Sequence, residues 1–129
     1  MHTRALMSIS AVFLALLGVG TLFAPAEVLA VHGTAPDNAT KLLIQMMGAL
    51  YLGFAILNWT ARGNLIGGIY SRPVALGNLW HFLIVGILLT KAAIVFAAIP
   101  LAISAAIYSL FAIGFGLVIF RAPAAKAEG

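Results

Sequence analysis

Long apolar stretches alternate with short polar segments along this chain. The stretches run roughly Leu6–Phe23, Leu42–Thr60, Ala75–Ala98 and Leu101–Phe120. Each holds about 18 to 24 residues, enough at about 1.5 Å rise per residue to cross a hydrocarbon core of about 30 Å. Only helices and closed barrels satisfy their backbone groups in lipid. Barrel strands are shorter and alternate in polarity, so unbroken runs of this length predict helices. The expected fold is all-α: a membrane-embedded four-helix bundle, one domain over residues 1–129, with a short interfacial helix after the first span.

The segments between the runs carry turn and cap signals. Pro25 suits the first turn of a short helix, Pro25–Val31, closed by Gly33. Its Val28, Leu29 and Val31 fit a segment lying on the membrane surface. Thr34-Ala35-Pro36-Asp37-Asn38 reads as a turn, with Asp37 as N-cap of the second span. The segment from Arg62 to Pro73 is glycine-rich, and a tight turn is expected around Ile99–Pro100. Trp59, Tyr70 and Trp80 cluster near one face, as an aromatic belt does. Small-x3-small pairs (Gly20/Ala24, Ala49/Gly53, Ala112/Gly116) allow close helix approach, and packing within one bundle is the simpler expectation for them than a dimer interface.

Composition narrows the class. The 129 residues are 64% hydrophobic and only 8% charged, more apolar surface than a soluble fold of this size can hide. The absence of cysteine excludes disulfide, thiolate-metal, iron–sulfur and thiol-redox chemistry. The net charge of +4 comes from scattered single residues, so no nucleic-acid partner is expected. Arg4, Arg62, Arg72, Arg121 and Lys126 fall on one side of the spans, while Glu27, Asp37 and Lys41 fall on the other. The positive-inside rule makes the basic side cytoplasmic, with both termini inside. Met1–Arg4, Ala5–Gly20 and Ala24-Pro25-Ala26 also fit a signal peptide with its cleavage site. The apolar run is long for such a peptide, and the charge pattern is consistent with a retained first span.

Candidate chemistry is sparse. Lys91 lies inside the third apolar run, where a lysine is costly unless it snorkels or finds partners. Glu27, Gln45 and Tyr108 lie at matching depths, so a polar cavity facing the bundle interior is expected from Lys91, Gln45, Tyr108 and Glu27. His81 lies about seven residues into the same run from its opposite, inner end, with Asn78 three residues earlier on its helical face and Asn58 at a comparable though shallower level. His81 is expected to be a hydrogen-bonded contact inside the bundle, with Asn78 as its natural partner, and His81, Asn78 and Asn58 join the candidate polar or ligand-binding cavity. A haem held between helices usually needs two axial imidazoles, and His2 and His32 fall near opposite membrane faces, so no metal or other cofactor is expected. Carboxylate pairs, a Ser-His-acid set and a phosphate loop are all missing, so no catalytic residue is named.

The segment Leu22-Phe23-Ala24-Pro25…Leu29…Gly33, followed by Gln45-Met46-Met47-Gly48-Ala49-Leu50-Tyr51-Leu52-Gly53-Phe54-Ala55, resembles small bacterial four-helix membrane proteins of the DoxX-like type. The likeness covers the first half of the chain and consists mostly of glycines and apolar residues. It implies a four-helix bundle in a bacterial inner membrane. Some DoxX-like proteins are linked to quinone-dependent oxidation of sulfur compounds, but no residue set here carries that activity over. The expected function is binding or accessory: holding a lipid- or quinone-like molecule, or supporting a larger membrane complex. The alternatives are an oligomeric transporter or channel for a small neutral or anionic solute, and a membrane subunit of a quinone-linked oxidoreductase. The expected partners are the bilayer and either a second copy or a membrane complex.

Overall fold

A computed structural model describes residues 2–63 and 72–121, apart from the side chain of His2. Five helices follow in order: α1 (His2–Phe23), α2 (Pro25–Val31), α3 (Asn38–Ala61), α4 (Arg72–Phe96) and α5 (Ile99–Arg121). All but α2 are long and apolar enough to cross a bilayer. The protein is thus an all-α, multi-pass membrane bundle. Tyr70, the Gly67-Gly68 segment and the tail with Lys126 and Glu128 lie outside the described residues.

The caps explain where the elements stop. Pro25 occupies the first turn of α2, where its missing N–H costs nothing. At the other end Gly33 adopts φ +72°. The Gly33 N–H donates to the Ala30 carbonyl at 3.0 Å and the Thr34 N–H to the Leu29 carbonyl at 2.9 Å, a Schellman ending. Asp37 caps α3 as expected: its carboxylate accepts from the Thr40 N–H at 3.0 Å and from the Thr40 hydroxyl.

The last turn differs from expectation. It falls at Ala97–Ala98, two residues before Ile99–Pro100, and α5 begins at Ile99. Pro100 sits in the first helical turn, where a proline is tolerated, so it starts the helix rather than interrupting the chain. Ala97 makes the reversal with φ 49°, the left-handed region that an alanine seldom occupies.

Connectivity alternates the spans up and down. We call the end with α2 and the Ala97–Ala98 turn the turn end, and the end with Arg62 and Arg72 the loop end. Within the bundle α1 packs along α3, and α4 along α5, while the two pairs meet more sparsely. The α1–α3 crossing is close because glycines face each other. A Cβ on Gly48 would stand 2.5 Å from Thr21 Oγ1 and 3.0 Å from the Gly18 carbonyl oxygen. The expected small-residue pairs are not this contact. Gly20 and Gly53 have open space around them, and only Gly116, 3.7 Å from Leu79, faces a neighbouring span.

Burial follows helical spacing on each span. The stripes are Met7, Ser10, Leu14 and Thr21 on α1; Gly48, Tyr51, Ala55 and Asn58 on α3; Ala75, Asn78, Phe82 and Gly86 on α4; and Ala105, Tyr108, Ala112 and Phe115 on α5. The opposite faces present leucine, isoleucine and valine to the surroundings, Leu16, Leu50, Ile56 and Leu110 among them. Trp59 and Trp80 are about half exposed near the loop end, as belt residues are. The Arg62 guanidinium lies 3.7 Å from the Trp59 ring centroid, a cation–π contact at that boundary.

Candidate functional site

Polar side chains inside this bundle fall into two groups with different chemistry. The first is a closed network toward the loop end. The Asn58 amide donates to the Asn78 carbonyl oxygen at 2.7 Å, and the Asn78 amide donates back to the Asn58 oxygen at 2.6 Å. Asn58 also donates to the Ser10 hydroxyl at 3.1 Å, and Asn78 to the Val74 carbonyl at 2.9 Å. Ser10 in turn donates to the Met7 carbonyl at 3.0 Å. All three side chains are fully buried. Both amides have every proton and oxygen engaged, so this network holds helices together and has no capacity left for a ligand. It also corrects one expectation: Asn78 is bonded to Asn58 and not to His81.

His81 instead sits in an aromatic cluster. Its ring stacks on Phe54 at a centroid distance of 5.1 Å and meets Tyr51, Phe82 and Tyr108 at 5.9, 5.2 and 5.7 Å. Phe13 packs on Tyr108 at 5.8 Å from the α1 side. The contact with Tyr108 joins two residues whose depths, counted from opposite ends of their spans, looked different. The approach is possible because Gly86 has no side chain: the Tyr108 Cβ lies 3.6 Å from where a Cβ on Gly86 would be. His81 Nε2 and the Tyr108 hydroxyl are both buried and have no hydrogen-bond partner. An unpaired polar group in a low-dielectric interior costs roughly 1–3 kcal/mol, so each has unused bonding capacity.

Tyr108 also lines a cavity of about 330 Å³ in the turn-end half of the bundle. Every helix contributes to it: Leu17 and Thr21 from α1, Val28 and Leu29 from α2 with His32 at its C-cap, Met47 and Tyr51 from α3, Val85 and Leu89 from α4, and Leu101, Ser104 and Tyr108 from α5. Most of the wall is apolar. Thr21, His32, Thr34, Ser104 and the two tyrosines are its polar points, and none is an acid, lysine or arginine. Part of that polarity is committed. The Thr21 hydroxyl donates to the Leu17 carbonyl at 2.7 Å, the Ser104 hydroxyl to the Pro100 carbonyl at 2.9 Å, and His32 Nδ1 contacts the Val28 carbonyl at 2.8 Å.

The remaining expected site residues are placed elsewhere. Gln45 donates from Nε2 to the Leu22 carbonyl at 3.1 Å, tying α3 to the end of α1. Glu27 is exposed on α2. Lys91 is exposed and borders a groove on the outer face between α4 and α5. Among the described residues no hydrogen bond or ion pair joins Lys91 to Glu27, Gln45 or Tyr108. The reason lies in helical phase: Val85 and Leu89 face the cavity, and Lys91, two residues on, is turned about 200° away. Of the cavity residues only Tyr108 was singled out as a site residue by the sequence; Val28, Leu29, Val85, Leu89 and Leu101 carried no signal there beyond being apolar.

Among the described residues no three His, Asp or Glu side chains are grouped to hold a metal ion. No protein-family model, curated protein or solved structure matches this chain. The functional reading therefore rests on the site's own geometry.

Proposed function

We propose that the protein is a membrane-embedded binding protein for an amphiphile, a lipid- or quinone-like molecule with an apolar body and one neutral polar head. The observation that carries this reading is the cavity of about 330 Å³ lined by residues of all five helices, with Tyr108, whose hydroxyl is buried and unpartnered, among them. Pockets that bind small molecules typically combine apolar walls with a few placed polar groups and begin at about 300 Å³. A head with a carbonyl or hydroxyl would bond at the tyrosine edge of the cavity, with a small turn of the Tyr108 ring bringing its buried hydroxyl to the head and recovering a hydrogen bond that it otherwise forgoes. The absence of any acid, lysine or arginine from the wall favours a neutral head over an ion, because a bare ion would have no counter-charge to offset its desolvation. The DoxX-like resemblance points toward the same ligand class. We place the protein in a bacterial inner membrane with both termini in the cytoplasm, on the one-sided distribution of Arg4, Arg62, Arg72 and Arg121.

The test is to purify the protein from membranes in mild detergent, extract it and identify stoichiometric hydrophobic molecules by mass spectrometry. A single amphiphile near one per chain is expected. Ser104→Phe, which fills the cavity from α5, should abolish its retention, with helicity by circular dichroism as the folding control. Folded wild-type protein that carries no such molecule, or a folded Ser104→Phe variant that retains it in full, defeats the reading.

A further inference from the structure

A second concave surface lies outside the bundle and is independent of the cavity just described. It is a groove of about 290 Å³ between α4 and α5, floored by Phe82, Gly86 and Ala112. Its walls include Leu83, Ile87 and Ile113, all exposed, so it opens sideways onto lipid. Gly86 helps to make it: with no side chain there, the α5 backbone at Ser109 N lies 3.6 Å from where a Cβ would stand. Lys91 is the groove's one charged lining residue, at its turn-end rim. From Lys91 down to Phe82 is nine residues of helix, about 13.5 Å, close to half of a hydrocarbon core of about 30 Å.

We infer that this groove holds one anionic phospholipid from the turn-end leaflet, with an acyl chain along Leu83, Ile87 and Ile113 and its phosphate on the Lys91 amine. Charge complementarity selects the occupant. Among the described residues no acid pairs with Lys91, yet its position near the α4 end lets the side chain reach the headgroup zone, where the available anions are lipid phosphates. A zwitterionic lipid fills the same groove but brings its own cation beside the lysine. The groove length matches one leaflet, which suits a lipid chain better than a spanning helix of a partner.

Native mass spectrometry of the protein in micelles doped equally with phosphatidylglycerol and phosphatidylcholine tests this. The wild type should retain one phosphatidylglycerol in preference to phosphatidylcholine by roughly fivefold, the factor expected from one basic residue at a membrane surface. Lys91→Met should bring that ratio close to one, and Lys91→Arg should keep it. Lys41, the other lysine toward this end, is the control: Lys41→Met should leave the ratio unchanged. Three results overturn the inference. They are equal retention of both lipids by the wild type, an equal loss of preference in Lys41→Met, and a dimer that dissociates on Lys91→Met while neither lipid is retained.

Discussion

Replacing Asn58 and Asn78 by leucine, singly and together, tests the buried amide pair. Leucine shares the branched heavy-atom skeleton of asparagine; its larger volume adds some overpacking at these fully buried sites, and the double-mutant cycle isolates the polar coupling. Asn78→Leu removes two reciprocal bonds of 2.6 and 2.7 Å and orphans the Asn58 carbonyl oxygen. Asn58→Leu removes the same two bonds, also frees the Ser10 hydroxyl of its donor, and orphans the Asn78 oxygen. A buried unsatisfied group costs about 1–3 kcal/mol in soluble proteins. Interhelical hydrogen bonds in membranes average only about 0.6 kcal/mol and reach about 1.7, because the unfolded chain in lipid also finds partners. With two interhelical bonds lost in Asn78→Leu and three in Asn58→Leu, each single variant should lose about 2 kcal/mol. The double variant orphans neither amide, so it should lose about 2 to 3 kcal/mol, short of the additive sum by about 1 to 2. Unfolding in mixed micelles of increasing SDS content, followed by circular dichroism, measures all four corners of the cycle. A double variant whose loss equals the sum of the singles refutes the reciprocal pair.

Four further outcomes follow from local geometry. Gly48→Ala must push α1 off α3, because the new Cβ meets Thr21 Oγ1 at 2.5 Å and backbone at 3.0 Å; it should cost about 1–3 kcal/mol in the same unfolding assay. Gly53→Ala has nothing within 4 Å to strike and should be neutral or stabilising by up to about 1 kcal/mol through helix propensity. Tyr108→Phe removes a buried hydroxyl that bonds to nothing, so it should raise or preserve the stability of the delipidated protein while weakening retention of the proposed amphiphile; a clear loss of stability without ligand would reveal a hidden partner. The Asp37 carboxyl is held below its usual value of 3.8 by the Thr40 hydroxyl and the Thr40 backbone N–H. A depressed folded value means that its contribution is fully present above about pH 4 and disappears as pH falls through the folded pKa. The Tm gap between wild type and Asp37→Ala should therefore be constant from pH 7 to about 5 and close on further acidification; a gap that persists at pH 2 contradicts the cap.

Helix number and span positions were legible in the sequence because bilayer thickness imposes a length that apolar runs must meet. The α2 ending at Gly33 and the Asp37 cap were legible because glycine and aspartate each answer a local backbone need. The inward faces were not. In water the core stripe is the apolar one, but here the outward faces carry Leu16, Leu50, Ile56 and Leu110 while the inward stripes carry Ser10, Gly48, Asn58, Asn78 and Tyr108. Both faces of a span are apolar enough for their surroundings, so hydrophobic periodicity does not mark the core. Depth alone grouped Lys91 with Tyr108, and helical phase separates them. The stripe Asn78, Phe82, Val85, Leu89 was available as a guide, since Asn78 is the polar residue on α4 that most needs burial with a partner. The meeting of His81 and Tyr108 needed the α4–α5 register, which is set by a turn that fell two residues earlier than Pro100 suggested.

The amide pair and the cavity occupy opposite ends of the bundle, and this arrangement gives the molecule the mechanics of a clothes-peg. Asn58 belongs to the α1–α3 pair and Asn78 to the α4–α5 pair, so their two hydrogen bonds pin the jaws near the loop end. Toward the turn end the jaws flank the cavity, and α2 packs on the α1–α3 jaw with only Leu29 buried. On the proposed function, entry of an amphiphile from the bilayer would load the sparse contacts between the two pairs at the turn end, with the amide pair at the loop end as the fulcrum.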